Sequence, residues 1–179
     1  MKRVLILLAF TLPSIIWSQT FTLSSSDTGG QATKKEEFNG FGCSGDNRSP
    51  ALSWVNAPKG TKSFAITMYD KDAPTGSGWW HWVVFDIPAN INKIKSNAGN
   101  ISTNLFPKEA IQSITNFGKP GYGGPCPPEG HGPHQYVITI YALKIEKLGL
   151  DKKTNPAIVG YYLNGNTIAK SSIVMYYER

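Results

Sequence analysis

The sequence predicts a mostly β protein edged by two or more helices. Three observations carry this reading. Apolar segments with a period of two recur along the chain, turn-rich segments of Gly, Pro, Asn, Asp and Ser separate them, and only two stretches show helical signals. Taken in order, "ALSWVNA" (51–57) lies between Pro50 and Pro58 and reads as a short strand. "KSFAITMYD" (62–70) alternates, with Phe64, Ile66 and Met68 on one face and Ala65, Thr67 and Tyr69 on the other. "HWVVFDIP" (81–88) is a strand ended by Pro88, joined to the one before by the turn-rich "DKDAPTGSGWW". "PKEAIQSI" (107–114) predicts a short helix opened by Pro107. "QYVITIYALK" (135–144) is apolar on both faces, which suits a central strand. "NPAIVGYYLNGNTIAKSS" (155–172) predicts a helix with Asn155 as N-cap and Pro156 in its first turn. "SIVMYYE" (172–178) is the last strand.

The chain of 179 residues suits one domain, and no linker or internal repeat divides it. The first eighteen residues stand apart. Lys2 and Arg3 precede an apolar run from Val4 to Leu12, then Pro13 and Ile15 to Ser18, the pattern of a secretory signal peptide cleaved near Ser18. The run is too short for a good membrane span. The expected arrangement is therefore a signal peptide at 1–18 and a single domain at 19–179, in a periplasmic or secreted protein with no integral span after cleavage. Losing Lys2 and Arg3 leaves 16 cationic side chains against 12 anionic ones, a net charge of +4 in place of +6. Lys and Arg are scattered, without the concentrated stripe that nucleic acid requires. Cys43 and Cys126 form an even pair. In an exported protein this predicts a disulfide, and closing a loop of about 80 residues stabilises by roughly 4 kcal/mol in the chain-entropy model.

Three clusters concentrate residues able to do chemistry. The first is "YDKDAPTG", with Asp70, Asp72 and Pro74; the second is "GWWHWV", with His81 among Trp79, Trp80 and Trp82. The third is "GKPGYGGPCPPEGHGPHQY" (118–136), where alternating Pro and Gly leave a loop few conformations. Its successive backbone N–H groups could form an anion-binding concavity. His134 and Tyr136 leave one face of the strand that follows. If the strand ending at Asp70 lies beside the one starting at His81, the carboxylate can accept from that imidazole and fix its tautomer. Taken singly, each feature has a plain reading as turn, core or loop.

Two of these stretches together carry a family resemblance. "MYDKDAPTGSGWWHWVVFDIP" resembles the Asp-x-Asp-x-Pro…His signature of the phosphatidylethanolamine-binding proteins, also called Raf kinase inhibitor proteins. "GPCPPEGHGPHQYVITIYAL" resembles their Gly-Pro-x-Pro-Pro…Pro-His-x-Tyr signature, and "CSGDNRSPALSW" the Ser-Pro-x-Leu-x-Trp opening of the bacterial and archaeal branch. The resemblance covers about residues 38–178. It implies two antiparallel sheets, the larger one central, with a few peripheral helices, and a small anion pocket at one sheet end. By position the pocket would use Asp70, Asp72, Pro74, His81, His134 and Tyr136, with Trp79 as an aromatic wall. The 123–128 loop, through Gly124, Pro125 and Pro127, would give backbone contacts. Cys126 stands where animal members carry Gly, and Gln135 where Arg is usual.

The function expected is a non-catalytic binding module for a phosphate- or carboxylate-bearing ligand, either a lipid head group or a phosphorylated or acidic group on a partner, with His81, His134 and Tyr136 donating. It calls for no cofactor and no metal. Three other classes are weighed beside it. A hydrolase would need a nucleophile, and neither Ser44 nor Ser77 sits in a Gly-x-Ser-x-Gly elbow. A metal site could draw on Cys126, His131 and His134, but a disulfide would consume the thiol. A kinase or protease inhibitor would act through a protein surface that the sequence does not identify. His131 occupies no signature position and reads as a surface residue.

Overall fold

A computed structural model describes residues 19–179; the signal peptide expected at 1–18 lies outside the described residues. In chain order the strands are β1 (Thr22–Ser24), β2 (Asn39–Gly40), β3 (Cys43–Ser44), β4 (Leu52–Val55), β5 (Ser63–Asp70), β6 (Trp79–Pro88), β7 (Lys93–Ile94), β8 (Ile111–Gln112), β9 (His134–Leu143) and β10 (Thr167–Tyr177). Among the described residues one α-helix, α1 (Pro156–Asn166), precedes β10, and a single 3-10 turn spans Ile101–Thr103. The protein is mostly β, as the sequence predicts. Five strands form the main sheet in the order β10-β9-β5-β6-β8, three form a smaller sheet in the order β1-β4-β7, and β2 and β3 make a separate hairpin. Every strand pairing is antiparallel.

The main sheet is covered on both faces, which explains why β5 is buried along nearly its whole length. Phe64, Ile66 and Met68 of β5 join Trp82 and Val84 of β6 and Ile138 and Ile140 of β9 against Leu23, Leu52, Trp54 and Ile94 of the small sheet. The opposite face carries Ala65, Val83, Phe85 and Leu143, and α1 seats Val159 and Leu163 on it. The alternation in "KSFAITMYD" thus separates two cores rather than a core and a wet face.

Two helical expectations are corrected. The 107–114 segment makes one turn, closed by the Ala110 N–H on the Pro107 carbonyl, and then becomes β8. Pairing of Ile111 with Phe85 and Gln112 with Val84, and the Trp82 indole N–H on Gln112, stabilise the edge strand over a helix. The helix predicted over 155–172 begins where expected, with the Asn155 side chain accepting from the Ala157 N–H, but it ends at Asn166. From Thr167 the chain pairs with β9 along ten registered positions, and that ladder outweighs the local helical preference.

Because β9, β5 and β6 are antiparallel neighbours, the end of β5 meets the starts of β6 and β9. Asp70 is opposite Tyr136 on one side and Trp79 on the other. The candidate site stands at that sheet end.

Candidate functional site

Register alone would not bring His81 to this site. Met68 pairs with Trp82 and Tyr69 with Trp80, so His81 is the extra residue of a bulge. A bulge of this kind re-aims a side chain. His81 meets Tyr136 edge-on at 5.0 Å and Phe117 at 5.3 Å. The same geometry separates the three tryptophans around His81: Trp79 lines the pocket as expected, Trp80 packs on Tyr69 at 4.7 Å, and Trp82 is in the sandwich core.

The pocket encloses about 180 Å³. Asp70, His81, His134 and Tyr136 supply its ionisable groups, Trp79 and Phe117 its aromatic wall, and Phe41, Pro74, Pro127 and Pro128 line it further. All four ionisable residues are nearly inaccessible to solvent. A larger open groove of about 800 Å³ runs past Lys108 and Lys152, but its charged groups are exposed and it contains no histidine.

The partners of each imidazole fix its protons. His81 Nδ1–H donates to the Gly123 carbonyl at 2.7 Å. Burial lowers the His81 pKa to about 4, so the ring is neutral near pH 7, and Nε2 carries a lone pair. His134 Nδ1–H donates to Asp70 Oδ2 at 2.7 Å. Asp70 therefore orients His134, not His81. The other nitrogen of His134 faces His131 Nδ1 at 2.8 Å. His131, expected to be mere surface, extends the Asp70–His134 pair to solvent. Its three-residue spacing from His134 was the available signal. Tyr136 is fully buried, and its hydroxyl makes no hydrogen bond of good geometry among the described residues. Burial first, and then the nearby Asp70 charge, push its pKa up, so it stays a protonated donor.

Other expected site residues serve the frame. Asp72 does not line the pocket: Oδ2 accepts the Gln135 N–H at 2.8 Å, and Lys71 pairs with the carboxylate at 2.7 Å. The Lys71 hydrogen bond, ahead of the Gln135 N–H, holds its pKa down. Gly124 and Pro125 are buried outside the lining. The expected concavity of free N–H groups is not formed by the glycines, because Gly123 N–H is spent on the His81 carbonyl and Gly124 N–H on Asn47 Oδ1. A Cβ on Gly124 would lie 1.9 Å from the Glu36 carbonyl oxygen, so this glycine permits close backbone approach. Pro127 lines the cavity and its carbonyl accepts from Arg179 Nε. Cys43 and Cys126 form the expected disulfide, with Cα atoms 6.0 Å apart, tying the β2–β3 hairpin to the loop. That bond removes Cys126 from the Cys126–His131–His134 metal set. Phe41 and Phe117, missed in the sequence, stack 5.8 Å apart at the mouth.

The arrangement can hold and hydrogen-bond a small polar group but has no serine or free cysteine nucleophile in the lining. The Thr75 hydroxyl is bonded to the Gly78 carbonyl, and Ser44 and Ser77 lie outside.

Comparison with known proteins agrees with this frame. The family model described as phosphatidylethanolamine-binding protein matches residues 28–178. The Escherichia coli protein YbcL is 48% identical over 160 residues, covering 88% of this chain and 87% of its own. Its crystal structure superposes with a TM-score of 0.86 over 89% of this chain and 98% of the other. YbhB of the same organism is 43% identical over 145 residues, covering 81% of this chain and 90% of its own. A Mycobacterium tuberculosis protein named as a lipoprotein is 33% identical over 105 residues, covering 59% of this chain and 48% of its own.

Proposed function

The chain belongs to the phosphatidylethanolamine-binding protein family, and on that premise we propose that it is an exported, non-catalytic binding protein whose pocket at the end of the main sheet takes the anionic head of a phosphate- or carboxylate-bearing ligand. One observation carries the reading. The Tyr136 hydroxyl is a buried donor that lines the cavity beside the Asp70 carboxylate and makes no hydrogen bond of good geometry among the described residues. Leaving such a group unpaired costs about 1–3 kcal/mol, and an acidic oxygen of a ligand would satisfy it. The cavity of about 180 Å³ suits a head group and leaves the rest of the ligand at the mouth by Phe41, Trp79 and Phe117. Export is supported by the leader-like first eighteen residues, by the Cys43–Cys126 bond, which persists in oxidising compartments, and by the relative named as a lipoprotein. Among the described residues no helix is long and apolar enough to cross a membrane.

Calorimetric titration with inorganic phosphate and with phosphoethanolamine tests the reading. Binding to the wild type, weakened about tenfold or more in Tyr136→Phe by loss of one charge-assisted hydrogen bond, is the expected result. No binding of either compound at any pH between about 5 and 8, the range over which imidazoles change charge, would overturn it.

A further inference from the structure

The tip of the β2–β3 hairpin carries a residue out of character for its backbone. Asn39 pairs with Ser44 and Gly40 with Cys43, so Phe41 and Gly42 are the two central residues of a tight turn. Both have positive φ, 55° and 86°. This is the type I′ arrangement, which favours Asn-Gly because a larger side chain is strained there. A bulky aromatic at positive φ is a genuine outlier. Burial does not repay the strain, because Phe41 is 69% exposed. The turn is nevertheless held firmly against the rim of the pocket. Cys43 is bonded to Cys126, and Arg179 donates to the Gly42 carbonyl at 3.2 Å and to the Pro127 carbonyl at 2.6 Å. Strain that the surroundings fix in place beside a cavity points to a role in the site.

The pocket lacks what Phe41 can supply. Its lining contains no lysine and no arginine, so no fixed cation faces an acid group inside it. Hydrogen-bond donors such as the Tyr136 hydroxyl and the Trp79 indole N–H can orient that group. Further affinity has to come from the body of the ligand, which leaves the cavity past the aromatic mouth. There the rings make a corner. Phe41 and Phe117 lie within 12° of parallel, 5.8 Å apart, and Trp79 meets Phe117 at 5.5 Å and 85°. A flat ring laid along the Phe41–Phe117 wall would stack on one side and meet Trp79 edge to face on the other, the two arrangements that aromatic pairs prefer. A puckered or flexible substituent gains only the contact area.

We propose that Phe41 is a specificity-determining residue and that the ligand is an aryl acid, a phosphate- or carboxylate-bearing head joined to a flat aromatic body that stacks on Phe41 and Phe117. The inference rests on the reading of the pocket as an anion site and names the body attached to the anion. The turn gives up local backbone comfort to keep an aromatic face exposed, and the disulfide and Arg179 hold that face in line with the cavity.

Calorimetric titration of the disulfide-bonded protein with methyl, cyclohexyl and phenyl phosphate, all at one pH, tests this. Methyl phosphate reports the head, cyclohexyl phosphate adds apolar area, and phenyl phosphate adds a flat ring of similar size. The wild type is expected to bind phenyl phosphate about tenfold or more tightly than methyl phosphate, from the apolar area added, and about threefold or more tightly than cyclohexyl phosphate, from the stacking. Phe41→Asn, which installs the residue that the turn prefers, is expected to bring the phenyl-to-cyclohexyl ratio close to one. Phe41→Leu, which keeps apolar bulk without a flat face, is expected to do the same, and Phe41→Tyr to retain the ratio. Cyclohexyl phosphate binding as tightly as phenyl phosphate in the wild type, or a ratio unchanged in Phe41→Asn or Phe41→Leu, would overturn the inference and leave the anion pocket standing. Failure of all three phosphates to bind the wild type would overturn the anion pocket itself.

Discussion

His81 shows how much one buried side chain can fix. It enters the pocket through the bulge, gives its proton to Gly123 and remains neutral because burial outweighs the pull of Asp70. Its folded pKa of about 4 lies below the ordinary value of 6.5. In the interval between them the unfolded chain binds a proton that the folded protein refuses. Stability from this group is therefore complete above about pH 6.5 and is lost as pH falls towards about 4, a loss on the order of 3 kcal/mol. Denaturant titrations across that range are expected to give a steeper fall for the wild type than for His81→Asn, whose side chain cannot titrate. Parallel curves would show that the ring is not held neutral. At this scale the sequence is legible as to residue type but not as to pairing. It brings Asp70, His81, His134 and Tyr136 together, yet no spacing rule says that Asp70 meets His134 rather than His81, since a single bulged residue decides it. His131 carries only a spacing signal: its bond to His134 depends on how the loop between Gly130 and Gly132 folds back.

The elements were most legible where packing and local preference agree. The predicted cores of β5, β6 and β9 lie within a residue or two of the observed strands, because β-branched and aromatic runs fit a sheet buried on both faces. They were least legible where the two disagree. The stretch after Asn166 has the composition to continue a helix, but β9 presents an open ladder beside it, and pairing wins over propensity. The same competition turns 111–112 into the edge strand β8. The sequence of the Pro/Gly loop suggests a source of anion-binding N–H groups. Their nearest service is structural, with Gly124 fitting against the Glu36 carbonyl and its N–H fixed by Asn47.

For the molecule as a whole, the disulfide couples the site to the frame. It joins residues 83 apart and fastens the hairpin bearing Phe41 to the loop bearing Pro127 and Pro128, all three of which line the pocket. Replacing both cysteines by serine is expected to cost roughly 4 kcal/mol of unfolding free energy through the entropy of the opened loop, measurable by denaturant titration. A cost near zero would mean that the packing of Phe38, Phe41 and Phe117 alone holds the hairpin in place. The Pro/Gly segment from 118 to 136 is thus a strapped rim of the pocket rather than a spacer.

The central claim is that this pocket receives an oxyacid head group. Its most direct test is a crystal grown with methyl phosphate. The account predicts density for the phosphate within hydrogen-bond distance of Tyr136 Oη, inside the lining formed by His81, Trp79 and Phe117. A pocket holding only water, at a concentration where the compound occupies other sites on the protein, would contradict it.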